Sequence, residues 1–186
     1  HNVKNILAAC TAAKALGIDA SSIGRGLARI PLLFGRGEVL GRNISILQDC
    51  YNANPASVAA AISWADSLPC SGRRIYVIAD MLELGEQSKA WHRDIGERLL
   101  ASKAEYVVLY GREVGHTARR IEDEGDSAKT VFLSDEYEVV EDYVRQLIRA
   151  QDSLLLKGSR AMALERLTKT LLAAEEAMNK GETRCF

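Results

Sequence analysis

Three short segments of the sequence combine polar and charged side chains in patterns that suit ligand binding. The first, residues 49–55, reads DCYNANP and follows an apolar run that predicts a β-strand. Asp49 could accept hydrogen bonds from ribose hydroxyls, and Asn52 could donate and accept at once, as the edge of a nucleobase or a peptide requires. The alternative is that Asp49 and Asn54 only cap and order the turn.

The second segment, residues 157–160, reads KGSR and stands between the apolar run LLL and a predicted long helix. Gly158 lets the backbone approach a ligand, the N–H groups of the first helical turn attract anions, and Lys157 and Arg160 add positive charge. This pattern predicts a site for a carboxylate or a phosphate. The alternative is an ordinary strand-to-helix turn in which Ser159 is the N-cap.

The third segment, residues 80–85, reads DMLELG and is too short for a helix of its own. Asp80 and Glu83 could order against an incoming substrate, or the segment could be a packed surface loop. His92 follows in the next predicted helix. It could be a general base, although a helix-surface or capping histidine is the alternative.

Alternating strands and helices must position these segments. Apolar runs and amphipathic helical patterns alternate after residue 37, which predicts an α/β fold: a mostly parallel, Rossmann-like sheet with helices on both faces. The carboxyl ends of parallel strands meet at one edge of such a sheet, where ligands bind. The predicted strands are 38–40, 43–48, 74–79, 106–110, 130–133 and 153–157, and the predicted helices are 56–68, 88–102, 114–124, 135–150 and 160–179.

Two further helices are predicted before this alternation, over residues 2–16 and 23–30. A linker with one proline and two glycines follows them, over residues 31–37. We therefore predict three parts: residues 1–33 as an attachment from a larger domain, residues 34–180 as the α/β domain, and residues 181–186 as a frayed tail.

The composition excludes several classes of protein. The chain has 186 residues, of which 24 are Lys or Arg and 25 are Asp or Glu, with no clustering of the basic residues. This balance is typical of a globular protein and argues against a nucleic-acid partner. No apolar run reaches the roughly 20 residues that span a bilayer, so we expect no membrane insertion and a cytoplasmic location. The four cysteines have no paired spacing, and the three histidines complete no metal-ligand set.

The common phosphate-binding motifs are absent from the sequence. Gly24-Arg25-Gly26 lacks the third glycine of the dinucleotide fingerprint, and it does not lie between a strand and a helix. The run KGS at residues 157–159 has the order of a phosphate loop reversed. This chain alone is therefore not expected to bind a triphosphate in the P-loop manner.

Several of these segments together resemble the Mur ligase family. The resemblance spans the chain through HNVKNILAA at residues 1–9, Gly35-Arg36, YNANP at 51–55, DMLELG at 80–85 and KGSRAM at 157–162. It implies a protein of three domains, of which this chain would contain the end of the central ATPase domain and the complete third domain. The family's phosphate loop, magnesium ligands and carbamylated lysine would lie before His1, so no catalytic residue is assignable here and the fragment alone is expected to be inactive.

The resemblance also implies roles for individual residues. Asn2 and Asn5 would contact the adenine of ATP, and Arg36 and Asp49 would reach its phosphates or ribose. Tyr51 and Asn52 would line the same nucleotide site. Lys157, Ser159 and Arg160, with Asp80 and Glu83, would hold an incoming dipeptide. The two sets would serve different ligands, so we expect Asp49→Ala to weaken ATP and Arg160→Ala to weaken the dipeptide.

The implied reaction is the addition of D-Ala-D-Ala to UDP-N-acetylmuramoyl-tripeptide in peptidoglycan synthesis. ATP and Mg²⁺ would activate a substrate carboxylate as an acyl phosphate, which the dipeptide amine then attacks, while the third domain closes as a lid and excludes water. The alternatives are a related ligase of the folylpolyglutamate or cyanophycin type and a noncatalytic nucleotide- or peptide-binding module. A phosphate loop encoded upstream in the same reading frame would distinguish the ligase from the module.

Overall fold

The computed structural model describes residues 2–30, 35–125 and 128–179, which form two compact units, His1–Leu33 and Phe34–Phe186. The predicted tail, residues 181–186, lies outside the described residues. Among the described residues, none of the helices combines the length and the apolar composition that a membrane span requires.

The first unit contains two helices, α1 (Asn2–Ala15) and α2 (Ala20–Ala28). The prediction that the second helix starts at Ile23 is wrong by three residues. The carboxylate of Asp19 accepts a hydrogen bond from the N–H of Ser22 at 2.9 Å, so Asp19 is the N-cap and the helix begins at Ala20. Neither helix is well covered: α2 buries no residue, and Val3 and Leu7 of α1 are 69% and 60% exposed.

The second unit contains a six-stranded sheet in the order β1-β2-β6-β3-β4-β5. The edge strand β1 is antiparallel to β2, and all the other neighbours are parallel. The predicted mostly parallel α/β sheet is therefore confirmed. Its elements are β1 (Glu38–Leu40), β2 (Ser45–Asp49), α3 (Pro55–Ser67), β3 (Arg74–Ala79), α4 (Ser88–Ala101), β4 (Tyr106–Tyr110), α5 (Gly115–Asp123), β5 (Thr130–Ser134), α6 (Tyr137–Leu147), β6 (Ser153–Lys157) and α7 (Glu165–Asn179).

Helices cover both faces of this sheet, as predicted. On one face, Leu47, Tyr76 and Leu155 pack with apolar side chains of α3, α4 and α5. On the other face, Ile46 and Leu154 pack with side chains of α6 and α7. Neighbouring residues of one strand point to opposite faces, so strands that are buried on both sides must be apolar at nearly every position.

The strand order reverses at β6. From β2 the chain passes over β6 to β3, continues outward through β4 and β5, and then returns to β6 between β2 and β3. A reversal of this kind leaves a crevice outside the carboxyl ends of the strands, which is the usual ligand site of doubly wound sheets. All three segments singled out from the sequence lie at this edge, after β2, β3 and β6.

The single long helix predicted over residues 160–179 is wrong. Residues Arg160–Met162 form a short 3₁₀ turn, Ala163 has a left-handed φ of 48°, and α7 begins only at Glu165. The prediction failed because the intervening residues are good helix formers, and local propensity is a weak guide against tertiary packing. Leu164, the residue after the break, is fully buried against the sheet. The predicted anion site on first-turn N–H groups at residue 160 is therefore not formed, because no α-helix begins there.

Candidate functional site

Lys157 joins the carboxyl ends of β2 and β6. The two strands are parallel, and Asp49 and Lys157 are their last residues and face each other in register. The Nζ atom of Lys157 lies 2.9 Å from Oδ2 of Asp49 and donates a hydrogen bond to the carbonyl oxygen of Asn52 at 2.7 Å. The side chain of Lys157 is only 2% exposed, against 19% for Asp49. A buried ammonium group needs such partners, since desolvation disfavours an unpaired charge.

Ser159 joins the end of β6 to the loop after β3. Its N–H donates to the carbonyl oxygen of Asp80 at 3.1 Å, and its Oγ accepts a hydrogen bond from the N–H of Leu82 at 2.9 Å. Its side chain makes no N-cap hydrogen bond, so the N-cap alternative for Ser159 is wrong. Ser159 therefore fixes the third segment against β6.

Gly158 allows this close approach between β6 and β3. A Cβ atom on Gly158 would lie 2.7 Å from Cβ of Ala79 and 3.2 Å from Cδ1 of Leu164. The first of these distances is below any normal contact between side-chain carbons, so any larger residue at position 158 would push β6 away from the end of β3.

The carboxylate of Asp80, which is predicted to contact a substrate, binds backbone N–H groups of its own chain. Its Oδ1 accepts from the N–H of Val114 at 2.9 Å and its Oδ2 from the N–H of Arg112 at 3.1 Å, and the residue is 6% exposed. Asp80 therefore orders the loop between β4 and α5. Glu83, its predicted companion, is exposed and has a left-handed φ of 64°.

His92 is a buried histidine with both ring nitrogens in hydrogen-bonding range of the backbone. Its Nε2 accepts from the N–H of Met81 at 3.2 Å, and its Nδ1 lies 2.8 Å from the carbonyl oxygen of Ser88. The residue is 1% exposed. This geometry favours a structural role in holding the loop after β3 over a role as a general base.

Arg36 and Tyr51 form an exposed pair beside the end of β2. The guanidinium of Arg36 lies over the Tyr51 ring, 4.2 Å from its centroid, and Tyr51 is 45% exposed. The N–H of Tyr51 donates to the carbonyl oxygen of Gly35 at 3.0 Å, and Gly35 has a φ of 67°. This glycine turn brings Arg36 next to Tyr51.

The amides of the first segment are used in different ways. The side chain of Asn54 is the N-cap of α3 and forms a reciprocal capping box with Ser57. The Oδ1 atom of Asn52 accepts from the N–H of Ala53 at 2.8 Å.

Asn2 and Asn5 both belong to α1 in the other compact unit, where Asn5 is exposed.

A carboxylate that sequence reasoning missed lies beside Arg160. Oε1 of Glu165 is 3.0 Å from Nη1 of Arg160, and Oε2 is 4.0 Å from Sγ of Cys50. Burial and the nearby charge of Glu165 raise the pKa of the Cys50 thiol to about 12, so the thiol keeps its proton. Glu165 was missed because the sequence predicts it inside a continuous helix, whereas the break at Ala163 makes it the first residue of α7.

These contacts link the ends of four strands, β2, β3, β4 and β6, into one arrangement. Lys157 binds the loop after β2, and Ser159 binds the loop after β3. Asp80, in the loop after β3, binds N–H groups of the loop after β4. Arg36, Tyr51 and Arg160 present exposed cationic and aromatic groups beside it. The arrangement suits an anionic, partly aromatic ligand. Within the described ranges, no group of three His, Cys, Asp or Glu side chains could hold a metal ion.

Comparisons with known proteins identify the family of this chain. Residues 35–160 match the family described as Mur ligase, glutamate ligase domain. The UDP-N-acetylmuramoyl-tripeptide--D-alanyl-D-alanine ligase of Treponema pallidum (strain Nichols) is 35% identical over 171 residues, which is 92% of this chain and 37% of the relative. The enzyme of the same name from Bacillus subtilis (strain 168) is 30% identical, over 92% of this chain and 38% of the relative.

A solved structure of a MurF ligase is also similar to this chain. The crystal structure of MurF ligase from Thermotoga maritima in complex with ADP superposes with a TM-score of 0.72 at 27% identity, covering 94% of this chain and 38% of that one. The chain thus spans just over a third of the length of the relatives that it matches. Since the family model matches more than half of its residues, the chain belongs to the Mur ligase family, through its glutamate ligase domain.

Proposed function

We propose that this chain is the carboxyl-terminal part of an ATP-dependent ligase that joins D-Ala-D-Ala to UDP-N-acetylmuramoyl-tripeptide. The names of the relatives support this proposal, since both are D-alanyl-D-alanine ligases that match over 92% of the chain. The observation on which it most depends is the contact of Lys157 with Asp49 and Asn52, which brings the predicted nucleotide and dipeptide segments next to each other.

The nucleotide side of the proposed site is formed by the end of β2. Arg36 offers an exposed guanidinium for phosphate oxygens, Asp49 offers a carboxylate for ribose hydroxyls, and Tyr51 offers an aromatic face. Asn52 lies next to them and is exposed. The adenine contacts predicted for Asn2 and Asn5 belong to the first unit and stay a prediction. The solved MurF that resembles this chain is a complex with ADP, which supports a nucleotide as a ligand of the complete protein.

The dipeptide side is proposed to depend on Arg160. Lys157 was predicted to share this role, but its ammonium group is buried and bound to Asp49 and Asn52, so we now assign it to ordering the site. Arg160 is 54% exposed, so an incoming carboxylate could reach its guanidinium. Ser159 keeps a hydroxyl proton that it could donate. The predicted contacts of Asp80 and Glu83 gain no support from their positions.

In the proposed reaction, this chain positions groups and excludes water. ATP, when bound with Mg²⁺, supplies the phosphoryl group that activates the substrate carboxylate. The described residues offer no cluster for the metal ion, so we place its ligands in the missing domains of the longer protein. Arg36 and Asp49 would orient the nucleotide, and Arg160 would orient the dipeptide so that its amine meets the activated carboxylate. A UDP-linked substrate and ATP would place the reaction in the cytoplasm.

The proposal is tested with the complete protein encoded by the reading frame that contains this chain. The purified protein is incubated with ATP, Mg²⁺, UDP-N-acetylmuramoyl-tripeptide and D-Ala-D-Ala, and the products are measured by mass spectrometry. We expect a UDP-linked pentapeptide together with one ADP per amide formed. Matched reactions contain L-Ala-L-Ala or glutamate instead of the dipeptide. Ligation of glutamate but not of D-Ala-D-Ala would contradict the proposal and favour the folylpolyglutamate type.

A further inference from the structure

Glu165 lies at the centre of a small cluster that connects the ends of β2 and β6. It is the first residue of α7, and its side chain is 13% exposed. One carboxylate oxygen contacts Arg160 at 3.0 Å, and the other lies 4.0 Å from the protonated thiol of Cys50. The carboxylate is therefore held from two sides, while Arg160 remains half exposed at 54%.

We infer that Glu165 is a positioning residue that holds the guanidinium of Arg160 in place for the carboxylate of the dipeptide. This inference rests on the proposed function and extends it to Glu165, which belongs to none of the sequence motifs. A long arginine side chain that is half exposed samples many rotamers, and ordering it costs conformational entropy. A carboxylate fixed at 3.0 Å restricts those rotamers before the dipeptide arrives.

The surroundings of Glu165 explain why its carboxylate can hold the guanidinium of Arg160 in place. A negative charge in the first turn of a helix is favourable, because the free N–H groups there carry partial positive charge. Cys50 is fully buried and neutral, so its S–H can donate to the carboxylate without repelling it. The break at Ala163 turns the chain so that Glu165 faces back toward Arg160, five residues earlier.

The test is a double-mutant cycle in the complete protein, with steady-state kinetics in which ATP and D-Ala-D-Ala are varied separately. Arg160→Ala is expected to raise the KM for D-Ala-D-Ala about ten- to a hundredfold. Glu165→Ala is expected to raise it about three- to tenfold and to change the KM for ATP by less than about twofold. Glu165→Gln keeps an oxygen acceptor and should recover part of the loss. Glu176→Gln, an exposed change on the same helix, is the control.

The decisive comparison is Glu165→Ala made in the Arg160→Ala background. If Glu165 acts through Arg160, its loss there has no further effect on the KM for D-Ala-D-Ala. An equal effect in both backgrounds would overturn the inference, and so would a rise of the KM for ATP alone. A wild-type protein that does not ligate D-Ala-D-Ala would overturn the proposed function, and the inference with it. An active wild type with an additive cycle would overturn the inference alone.

Discussion

The ammonium group of Lys157 lies 2.9 Å from the carboxylate of Asp49, and this ion pair joins two segments that the sequence assigns to different ligands. The contact follows from the sheet, because the two residues end neighbouring parallel strands in register. The expectation that Asp49→Ala weakens ATP and Arg160→Ala weakens the dipeptide stays a prediction, and the ion pair adds an expectation for Lys157. A change at Lys157 disturbs the nucleotide segment and the dipeptide segment together.

We predict that breaking this ion pair destabilises the protein. Asp49→Ala leaves the buried ammonium of Lys157 without its carboxylate, which costs about 3 kcal/mol in the free energy of unfolding. Urea denaturation measures this cost. The double variant Asp49→Asn/Lys157→Met should be less destabilised than Asp49→Ala, because no buried charge is left unpaired. Arg112→Ala breaks an ion pair with Asp135 in which the arginine is 87% exposed, and it should cost less than about 1 kcal/mol.

Much of the fold could be predicted from the sequence, because strands buried on both faces are nearly continuous apolar runs. Both β3 and β6 have the predicted bounds. The break after residue 162 could not be predicted, since nothing local disfavours a helix there. Ala163 adopts its left-handed conformation because packing of Leu164 outweighs propensity.

The edge at which the candidate site lies could also be predicted, but the partners of its side chains could not. Polar residues after buried strands indicate the carboxyl edge of a parallel sheet. Which of them face a ligand depends on strand order, and the position of β6 between β2 and β3 is not visible in the sequence. For this reason Lys157 and Asp80 were predicted as ligand contacts, whereas both bind groups of the chain itself.

Asp80→Ala is predicted to act mainly on stability. The substitution leaves the N–H groups of Arg112 and Val114 without their acceptor, which costs about 1–3 kcal/mol in the free energy of unfolding. Thermal or urea unfolding measures this loss. Glu83→Ala, in the same loop but exposed, should stay within about 0.5 kcal/mol of the wild type. Equal losses in the two variants would show that the carboxylate of Asp80 has no special role.

Gly158→Ala is predicted to destabilise the end of β6. The added methyl group would lie 2.7 Å from Cβ of Ala79, and relieving this clash costs about 1–3 kcal/mol. Gly115→Ala is the matched control, because a methyl group there meets no atom within 4 Å and alanine favours the helix that begins at this residue. Urea midpoints should fall for the first variant and stay level or rise for the second. A level midpoint for Gly158→Ala would be contrary to the packing described.

The thiol of Cys50 is predicted to resist alkylation in the folded protein. Its pKa is raised from 9.0 to about 12 by burial, so at pH 8 it holds its proton and presents no thiolate. Iodoacetamide labelling followed by peptide mass spectrometry should find Cys70, which is partly exposed, modified before Cys50. Labelling in denaturant should modify both. Rapid labelling of Cys50 under native conditions would argue against its position beside Glu165.

The same thiol gives a pH dependence of stability with a defined sign. The pKa is higher in the folded state, so the folded protein retains a proton that the unfolded chain loses above about pH 9. The contribution of Cys50 is fully present below pH 9 and is lost as the pH rises toward 12. Cys50→Ala should therefore reduce the fall in the free energy of unfolding between pH 9 and pH 10. If the free energy of unfolding of Cys50→Ala falls with pH as steeply as that of the wild type, this prediction is contradicted.

The central claim, that Lys157 couples the two halves of the site, is tested most directly by the kinetics of Lys157→Met in the complete protein. The Michaelis constants for ATP and for D-Ala-D-Ala are measured separately at a temperature where the variant is folded, beside Arg160→Ala as the comparison. The account predicts that Lys157→Met raises both constants, since these contacts tie the nucleotide segment to the strand end that carries Ser159 and Arg160. Arg160→Ala should raise the constant for D-Ala-D-Ala alone. A Lys157→Met protein in which only the constant for D-Ala-D-Ala rises would show that the ion pair does not couple the two ligands.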